Sequence, residues 1–190
     1  MRPSVVAALS AAACLFASSG RSAETHTIDP VHSTALFKIR HMGASNLYGR
    51  FNDISGTIVI DAKDPSKSSV DVTVKVDSLD TGNAKRDQHL KSPDFFAAKQ
   101  FPAISFKGKD VKVLPDGGFE VAGQLTLHGV TKDLKATVKK VGTGKGMQGG
   151  ALTGFETSFK IKRSDHDMKQ MIPAAGDEVE ITISVECATK

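Results

Sequence analysis

The sequence predicts an all-β protein, and three features of the chain point to this class. Four stretches alternate apolar and polar residues with a period of two, at residues 70–76, 119–127, 155–161 and 179–187. A strand with that period has one apolar face and one polar face. Turn-forming residues separate the stretches at short intervals, which favours antiparallel neighbours over crossover helices. Only one segment of the chain suits a helix.

The strands are bounded by turn signals rich in proline, glycine, aspartate and serine, at residues 64–66, 115–118 and 142–146. The clearest strand has valine at every second position from Val70 to Val76. In chain order, we predict strands at residues 25–28, 34–40, 57–61, 69–78, 104–114, 118–128, 132–141, 153–163 and 178–187.

The helical insert follows the fourth predicted strand. Residues 83–90 suit a helix, and Ser92 followed by Pro93 has the pattern of a helix cap with proline at the first helical position. Three phenylalanines follow within residues 95–101. We therefore expect a helical insert that lays an aromatic flap on the sheet or over its end.

The apolar face of about eight or nine strands has to be covered. Two sheets stacked as a sandwich or one sheet closed as a barrel would both cover it, and the periodicity leaves both open. An eight-stranded barrel either fills itself with side chains or holds one small ligand. The chain has no tryptophan and a single tyrosine, which hints at a cavity, but ten phenylalanines are enough to fill one.

The N-terminal residues predict an export signal. A basic start at Arg2 precedes an uncharged apolar run at residues 5–16, and small residues follow. This run is shorter than the about 20 residues of a membrane-spanning helix, so we expect no stable membrane anchor. We place the cleavage after Ala23, and a cut a few residues earlier stays open. Residues 24–190 then form one exported domain, which we expect in the periplasm.

The composition of the mature chain argues against some classes of function. Removing 23 residues from 190 leaves 167, enough for one domain that buries about 70% of its unfolded surface. The formal charge falls from +4 to +2 with the loss of Arg2 and Arg21, and the lysines do not cluster, so nucleic-acid binding has little support. Cys187 is the one remaining cysteine, and its place on the apolar face of a strand predicts a buried, inert thiol.

Ordered sequence blocks along the whole mature chain resemble the YceI-like family. The blocks are Thr27-Ile28-Asp29-Pro30-Val31-His32-Ser33, His41-Met42-Gly43, Gly49-Arg50-Phe51, Ser78-Leu79-Asp80-Thr81-Gly82, Arg86-Asp87-Gln88-His89-Leu90, Asp94-Phe95-Phe96, Phe101-Pro102, Leu125-Thr126-Leu127-His128-Gly129-Val130-Thr131 and Arg163-Ser164-Asp165. The resemblance implies an extended, antiparallel, lipocalin-like β-barrel of about eight strands. It also implies a periplasmic protein that binds a polyisoprenoid, such as a prenyl diphosphate or a quinone, in an internal channel. No cofactor and no catalysis are implied.

One block departs from the family pattern. After Arg163-Ser164-Asp165 the family usually continues with Phe-Gly, whereas this chain has His166 and Asp167. We expect this change to alter a loop near the rim of the barrel.

The candidate ligand-binding residues divide into an apolar and a polar set. Inward-facing positions of the strands, with two phenylalanines of the insert, are the candidate channel lining. They are Phe37, Ile39, Val72, Val74, Phe95, Phe96, Phe106, Leu125, Leu127, Phe155, Phe159, Ile161, Ile181 and Ile183. For each of these residues, the alternative is that it packs in the core without contacting a ligand.

Arg86, His89 and Arg163 are the candidate partners of a polar head group, because guanidinium groups match phosphate and carbonyl acceptors. Internal salt bridges and caps are the alternative for these three. His32, His41 and His128 are expected to lock turns.

Three rival functions stay open. Ser164, Asp165 and His166 contain the residue types of a hydrolase triad, but as sequential neighbours they do not predict its geometry. His166, Met168 and Met171 form a soft ligand set that suits Cu(I). The third rival is a structural or stress protein whose barrel is filled by its own side chains and binds no ligand. The sequence also leaves open whether two chains associate through an edge strand.

Overall fold

The computed structural model describes residues 23–190, which contain eleven strands, one α-helix and three 3-10 turns. The strands are β1 (Glu24–Ile28), β2 (Thr34–His41), β3 (Ser45–Phe51), β4 (Ile54–Ile60), β5 (Ser69–Lys75), β6 (Leu79–Asp80), β7 (Ala103–Val113), β8 (Phe119–Leu127), β9 (Val130–Lys145), β10 (Ala151–Lys162) and β11 (Ala175–Thr189). The helix is α1 (Ala84–Leu90), and the 3-10 turns are Pro65–Lys67, Val76–Ser78 and Arg163–His166. Most of the predicted export signal, residues 1–22, lies outside the described residues.

Eight of the strands close into an antiparallel barrel. Their order is β1-β4-β5-β7-β8-β9-β10-β11, and β11 pairs back onto β1 at Ile28 and Cys187. Closure removes the unpaired edges that an open sheet would leave. The barrel, rather than the sandwich, is therefore the solution this chain adopts, and the predicted fold class is confirmed.

The barrel wall is extended at one end by β2, β3 and β6. The long strand β11 pairs with β1 at residues 187–189 and with β2 at residues 175–184, so that β1 and β2 lie one after the other along it. Strand β3 pairs with β2, and on its other side only with the two residues of β6. Between β3 and β7, α1 and the turn after it complete the wall, where Phe96 packs edge-to-face on Phe51.

The two ends of the barrel interior differ in packing. At the end near the β7–β8 turn, Phe119, Val121 and Cys187 are fully buried in one apolar cluster. Burial raises the pKa of the Cys187 thiol to about 11, which keeps it in the unreactive thiol form. Towards the other end, Ile181 and Ile183 on the same face of β11 are only half-buried. We call the first the filled end and the second the hollow end.

The predicted strands are all present, and two further strands were missed. Strand β3 lacks a run of β-branched residues and contains Gly49, which weakens a strand signal. The structure explains this glycine, because a Cβ there would clash with the ring of Phe37. Strand β6 has only two residues, too few for any periodicity.

The insert has one helix, and the second predicted start, at Ser92 and Pro93, is wrong. Helix α1 begins after Asn83, whose Oδ1 accepts the backbone N–H of Arg86. After Lys91 the chain forms successive turns, in which the carbonyl of Ser92 accepts the N–H groups of both Phe95 and Ala97. The left-handed backbone of Ala97, with φ of 45°, ends any continuation of a helix. Within residues 23–190, no helix combines the length and apolarity needed to cross a bilayer.

A buried histidine at the filled end makes the stability of the barrel depend on pH. His26 is 2% exposed, bonds through Nδ1 to Oγ1 of Thr189 at 2.9 Å and packs edge-to-face on Phe155. Burial lowers the pKa of His26 below its ordinary 6.5, while Glu24 acts in the opposite direction. The unfolded chain therefore binds more protons than the folded protein just below that pH, and stability rises with pH there.

We accordingly expect the melting temperature to fall as the pH drops below about 6.5. The variant His26→Gln retains a hydrogen-bonding side chain without a titrating group, so its melting temperature should fall less over the same interval. Melting curves of both proteins by circular dichroism check this. An equal fall in both proteins would contradict a role of His26.

Candidate functional site

An apolar cavity of about 430 Å³ occupies the hollow end of the barrel. Residues from β2, β3, β5, β7, β8, β10 and β11 form its walls, and α1 with the following turn forms one side. A second cavity of about 100 Å³ continues towards the filled end and shares with the first the side chains of Val74, Ile104, Leu125, Phe159 and Ile183. Cavities that bind small molecules have volumes of about 300–1,000 Å³, so the larger cavity alone is big enough to bind a small molecule.

All fourteen side chains of the predicted apolar set line one cavity or the other. Eleven line the larger cavity, namely Phe37, Ile39, Val74, Phe95, Phe96, Leu125, Leu127, Phe159, Ile161, Ile181 and Ile183. The other three, Val72, Phe106 and Phe155, line only the smaller one. The geometry brings the set together; whether these side chains contact a ligand stays a prediction.

Further lining residues escaped the sequence reasoning for different reasons. Ile104 and Val179 share the inward parity of Phe106 and Ile181, so the period of two was enough to find them. Leu47 and Phe51 lie on the missed strand β3. Met168 and Met171 lie between β10 and β11, where no periodicity marks a side chain as inward-facing.

The ionisable side chains that line the larger cavity are all potential cations. They are Arg40, His41, Arg86, His89 and Arg163. Two of the three predicted polar residues come from α1, and Arg163 comes from the turn after β10. The predicted polar set thus lies around one cavity, on two elements that are distant in the sequence.

Arg163 is 4% exposed, and three backbone carbonyls hold its guanidinium. Nη1 donates to the carbonyl of Met168 at 2.7 Å, Nη2 to that of Ala175 at 2.8 Å and Nε to that of Gly176 at 2.8 Å. Burial lowers the pKa of Arg163, and Asp177 acts in the opposite direction. Because a guanidinium has five N–H groups, these bonds leave two of them for another acceptor. Arg163 therefore fixes the loop before β11 and also borders the cavity.

The polar residues of α1 are bonded to the start of the insert. Arg86 donates from Nε to Oγ1 of Thr81 at 2.7 Å and from Nη2 to the carbonyl of Thr81 at 2.8 Å. Asp87 accepts from the backbone N–H and the hydroxyl of the same Thr81. His89 pairs through Nε2 with Oδ2 of Asp94 at 3.1 Å. These bonds agree with the alternative of an internal framework, which holds α1 against the cavity.

Ser164 and His166, two residues of the hypothetical triad, form hydrogen bonds with other partners. Ser164 donates its hydroxyl to Oδ2 of Asp177 at 2.7 Å. His166 bonds through Nδ1 to the carbonyl of Val130 at 3.1 Å, and because a carbonyl only accepts, Nδ1 carries the proton. Ser164 and His166 are therefore engaged in fixing the turn after β10.

The three residues of the soft ligand set proposed for Cu(I) have different environments. Met168 is buried and packs with Phe95 and Leu127 in a small cluster at the hollow end. Met171 borders the cavity and is exposed, whereas His166 is buried and does not line the cavity. The departure from the family pattern at His166 thus adds a buried side chain that supports the β8–β9 turn.

The three histidines expected to lock turns have different environments. His32 bonds through Nδ1 to Oδ2 of Asp29 at 2.8 Å, within the connection from β1 to β2. His128 bonds through Nδ1 to the carbonyl of His166 at 3.1 Å. His41 ends β2 and lines the cavity instead.

Comparison with known proteins agrees with this architecture. The YceI-like domain matches residues 26–187 of the chain. A UPF0312 protein of Pseudomonas aeruginosa is 39% identical over 188 residues, which cover 98% of each chain. The crystal structure of the Campylobacter jejuni YCEI protein superimposes with a TM-score of 0.68 at 35% identity, over 80% of this chain and 90% of that chain.

A further similar structure is a polyisoprenoid binding domain from Saccharophagus degradans, implicated in plant cell wall breakdown. Its TM-score is 0.66 at 14% identity, over 87% of this chain and 98% of that chain, which is a likeness of fold alone. The domain match and the relative that is 39% identical over nearly the full length decide the classification. This chain belongs to the YceI-like family.

Proposed function

We propose that the protein is an exported lipid-binding protein that sequesters or carries a long-chain isoprenoid in the barrel. The observation that carries this proposal is the apolar cavity of about 430 Å³ at the hollow end, lined mostly by aliphatic and aromatic side chains. The family and the fold shared with a polyisoprenoid binding domain support lipid binding in general. The isoprenoid, with a diphosphate or quinone head, is the finer part of the proposal.

The physical reason for such a carrier is the cost of exposing hydrocarbon to water. Each exposed methylene costs about 0.8 kcal/mol, so a long tail does not cross an aqueous compartment alone. At about 0.3 kcal/mol per non-hydrogen atom, a tail of about thirty carbons gains roughly 9 kcal/mol, which corresponds to sub-micromolar binding. No catalytic group is needed for this function.

The polar head of the ligand would lie among the potential cations that line the cavity. Arg86, His89 and Arg163 border it, and the two unused N–H groups of Arg163 suit a phosphate or carbonyl oxygen. An anionic head finds five potential cations around the larger cavity. Among the candidate ligands, this lining favours a diphosphate over a neutral quinone.

The place of action follows from the predicted export signal at residues 1–23. Cleavage there would release residues 24–190 into the periplasm. The family membership supports this location, and the length of the N-terminal apolar run argues against an anchor.

Native mass spectrometry of protein purified from intact cells tests the proposal. We expect a discrete additional mass of lipid size, released by unfolding. Adding geranylgeranyl diphosphate, geranylgeraniol or a prenyl quinone to delipidated protein should then restore a one-to-one complex, with the diphosphate bound most tightly. The absence of any adduct, both from cells and after addition, would favour the ligand-free structural protein.

A further inference from the structure

We propose that the mouth of the cavity docks on an anionic bilayer surface, through an apolar rim formed by Met42, Met171 and Ile172. This inference rests on the proposed function, because it supplies the route by which a tail reaches the cavity without crossing water. The rim combines side chains from the β2–β3 turn and from the loop before β11.

The three side chains are exposed, although they are large and apolar. Met42 is 65% exposed, Met171 45% and Ile172 38%. Such residues are unremarkable when they are scattered, but a group beside a cavity marks an interaction surface. Met171 itself lines the cavity, as does His41, the residue before Met42.

Backbone hydrogen bonds hold the two segments of the rim together. The N–H of Met42 donates to the carbonyl of Ala174 at 2.7 Å, and His41 pairs with Ala175 in the sheet. The N–H of Ala175 donates to the carbonyl of Met171 at 2.8 Å. The rim is therefore a preformed part of the hollow end, with its side chains already facing outward.

Both methionines of the rim have a positive φ. Met42 has φ of 52° and Met171 has φ of 61°, the left-handed region that residues with a long side chain rarely adopt. For Met42 the turn accounts for this conformation, because the carbonyl of His41 accepts the N–H of Ala44 at 3.0 Å, and Met42 and Gly43 between them both have the positive φ that a type I′ turn requires. This turn holds Met42 at the tip of the β2–β3 hairpin, where its side chain is exposed.

The chemistry of the rim favours a lipid surface as its partner. The cavity that Met171 lines suits a lipid tail, and contact of this end of the barrel with the bilayer would let methylenes pass from one apolar medium to another. Arg40 adjoins the rim and hydrogen-bonds only weakly, at 3.4 Å, to the neutral Asn46. Lys169 is also adjacent and pairs with Asp167 in an exposed contact. Apolar side chains flanked by basic ones bind anionic interfaces by burial and by charge together.

Vesicle flotation tests the inference with delipidated full-length mature protein and vesicles of phosphatidylcholine with phosphatidylglycerol. The test variant carries Met42→Ser and Ile172→Ser, which removes two rim side chains and leaves Met171 and the cavity lining intact. The matched control carries Val141→Ser and Met147→Ser, which removes two exposed apolar side chains beyond the filled end. We expect the apparent vesicle affinity of the test variant to fall more than about tenfold, and that of the control to stay at the wild-type level.

Binding of soluble geranylgeranyl diphosphate separates this inference from the proposed function. We expect the test variant to bind it as the wild type does, with an unchanged melting temperature. A wild type that binds the diphosphate but ignores the vesicles, or a test variant that floats like the control, would overturn the docking inference alone. If the wild type binds neither, both proposals fail. If the wild type sediments as a dimer and the test variant as a monomer, the rim binds a second copy of the chain. That result would also overturn the docking inference.

Discussion

Ile181→Trp should lower the affinity for a long-chain lipid by about 100-fold while the barrel stays folded. Ile181 is half-buried on β11 and faces the larger cavity. A tryptophan there would occupy space that the tail needs, and displacing three or four methylenes at about 0.8 kcal/mol each accounts for this loss. Because the new side chain enters an existing cavity, we expect no loss of stability and even a gain.

Titration with geranylgeranyl diphosphate and melting curves measure the two effects of Ile181→Trp. Thr182→Trp is the matched control, because the next residue on the strand places the same ring on the outer face of the barrel. Binding by Ile181→Trp equal to that of the control would show that the tail does not occupy this cavity. A large fall in melting temperature would instead mean that the cavity walls cannot accommodate the ring.

Arg163→Met should lower the free energy of unfolding by about 3 kcal/mol. The substitution keeps an unbranched side chain but removes the donors for the carbonyls of Met168, Ala175 and Gly176. Leaving a buried acceptor without a partner costs about 1–3 kcal/mol, and partial access of water to the loop limits the sum. Urea denaturation of both proteins measures the difference.

Arg163→Lys separates the two roles given to this side chain. A lysine retains the charge but has one nitrogen in place of three, so we expect it to recover less than half of the lost stability. If Arg163 also contacts a head group, Arg163→Met should weaken binding of geranylgeranyl diphosphate more than binding of geranylgeraniol. An equal effect on both ligands would leave Arg163 with the structural role alone, and an unchanged unfolding free energy would contradict that role.

The alternation of apolar and polar residues predicted which side chains face the inside of the barrel. It did not predict that empty space remains between some of them. Inward positions such as Ile181 and Phe159 follow directly from alternation along a strand. The same alternation places Phe119 and Phe155 on the inner face as well, yet these two pack into the filled end and line only the smaller cavity. Which inward residues meet each other depends on the register between strands, and no single strand contains that information.

The remaining errors and omissions have local physical causes. The second helix fails at Ser92 because Phe95 and Phe96 pack into the two core clusters from a sequence of turns. Strand β3 was missed because Gly49, which a strand pattern counts as a break, is required under the ring of Phe37. The ligand class came from the family blocks alone, since an apolar wall does not distinguish one hydrocarbon from another.

Because the cavity narrows from about 430 Å³ at the hollow end to about 100 Å³ where Phe119 and Phe155 line it, an elongated guest molecule would fit with its thinner end towards the filled end. If the proposed lipid binds in this orientation, its hydrocarbon tail enters first and its polar head leaves first. Release to an acceptor would then be ordered in time, because the acceptor would contact the head group before the tail leaves the barrel.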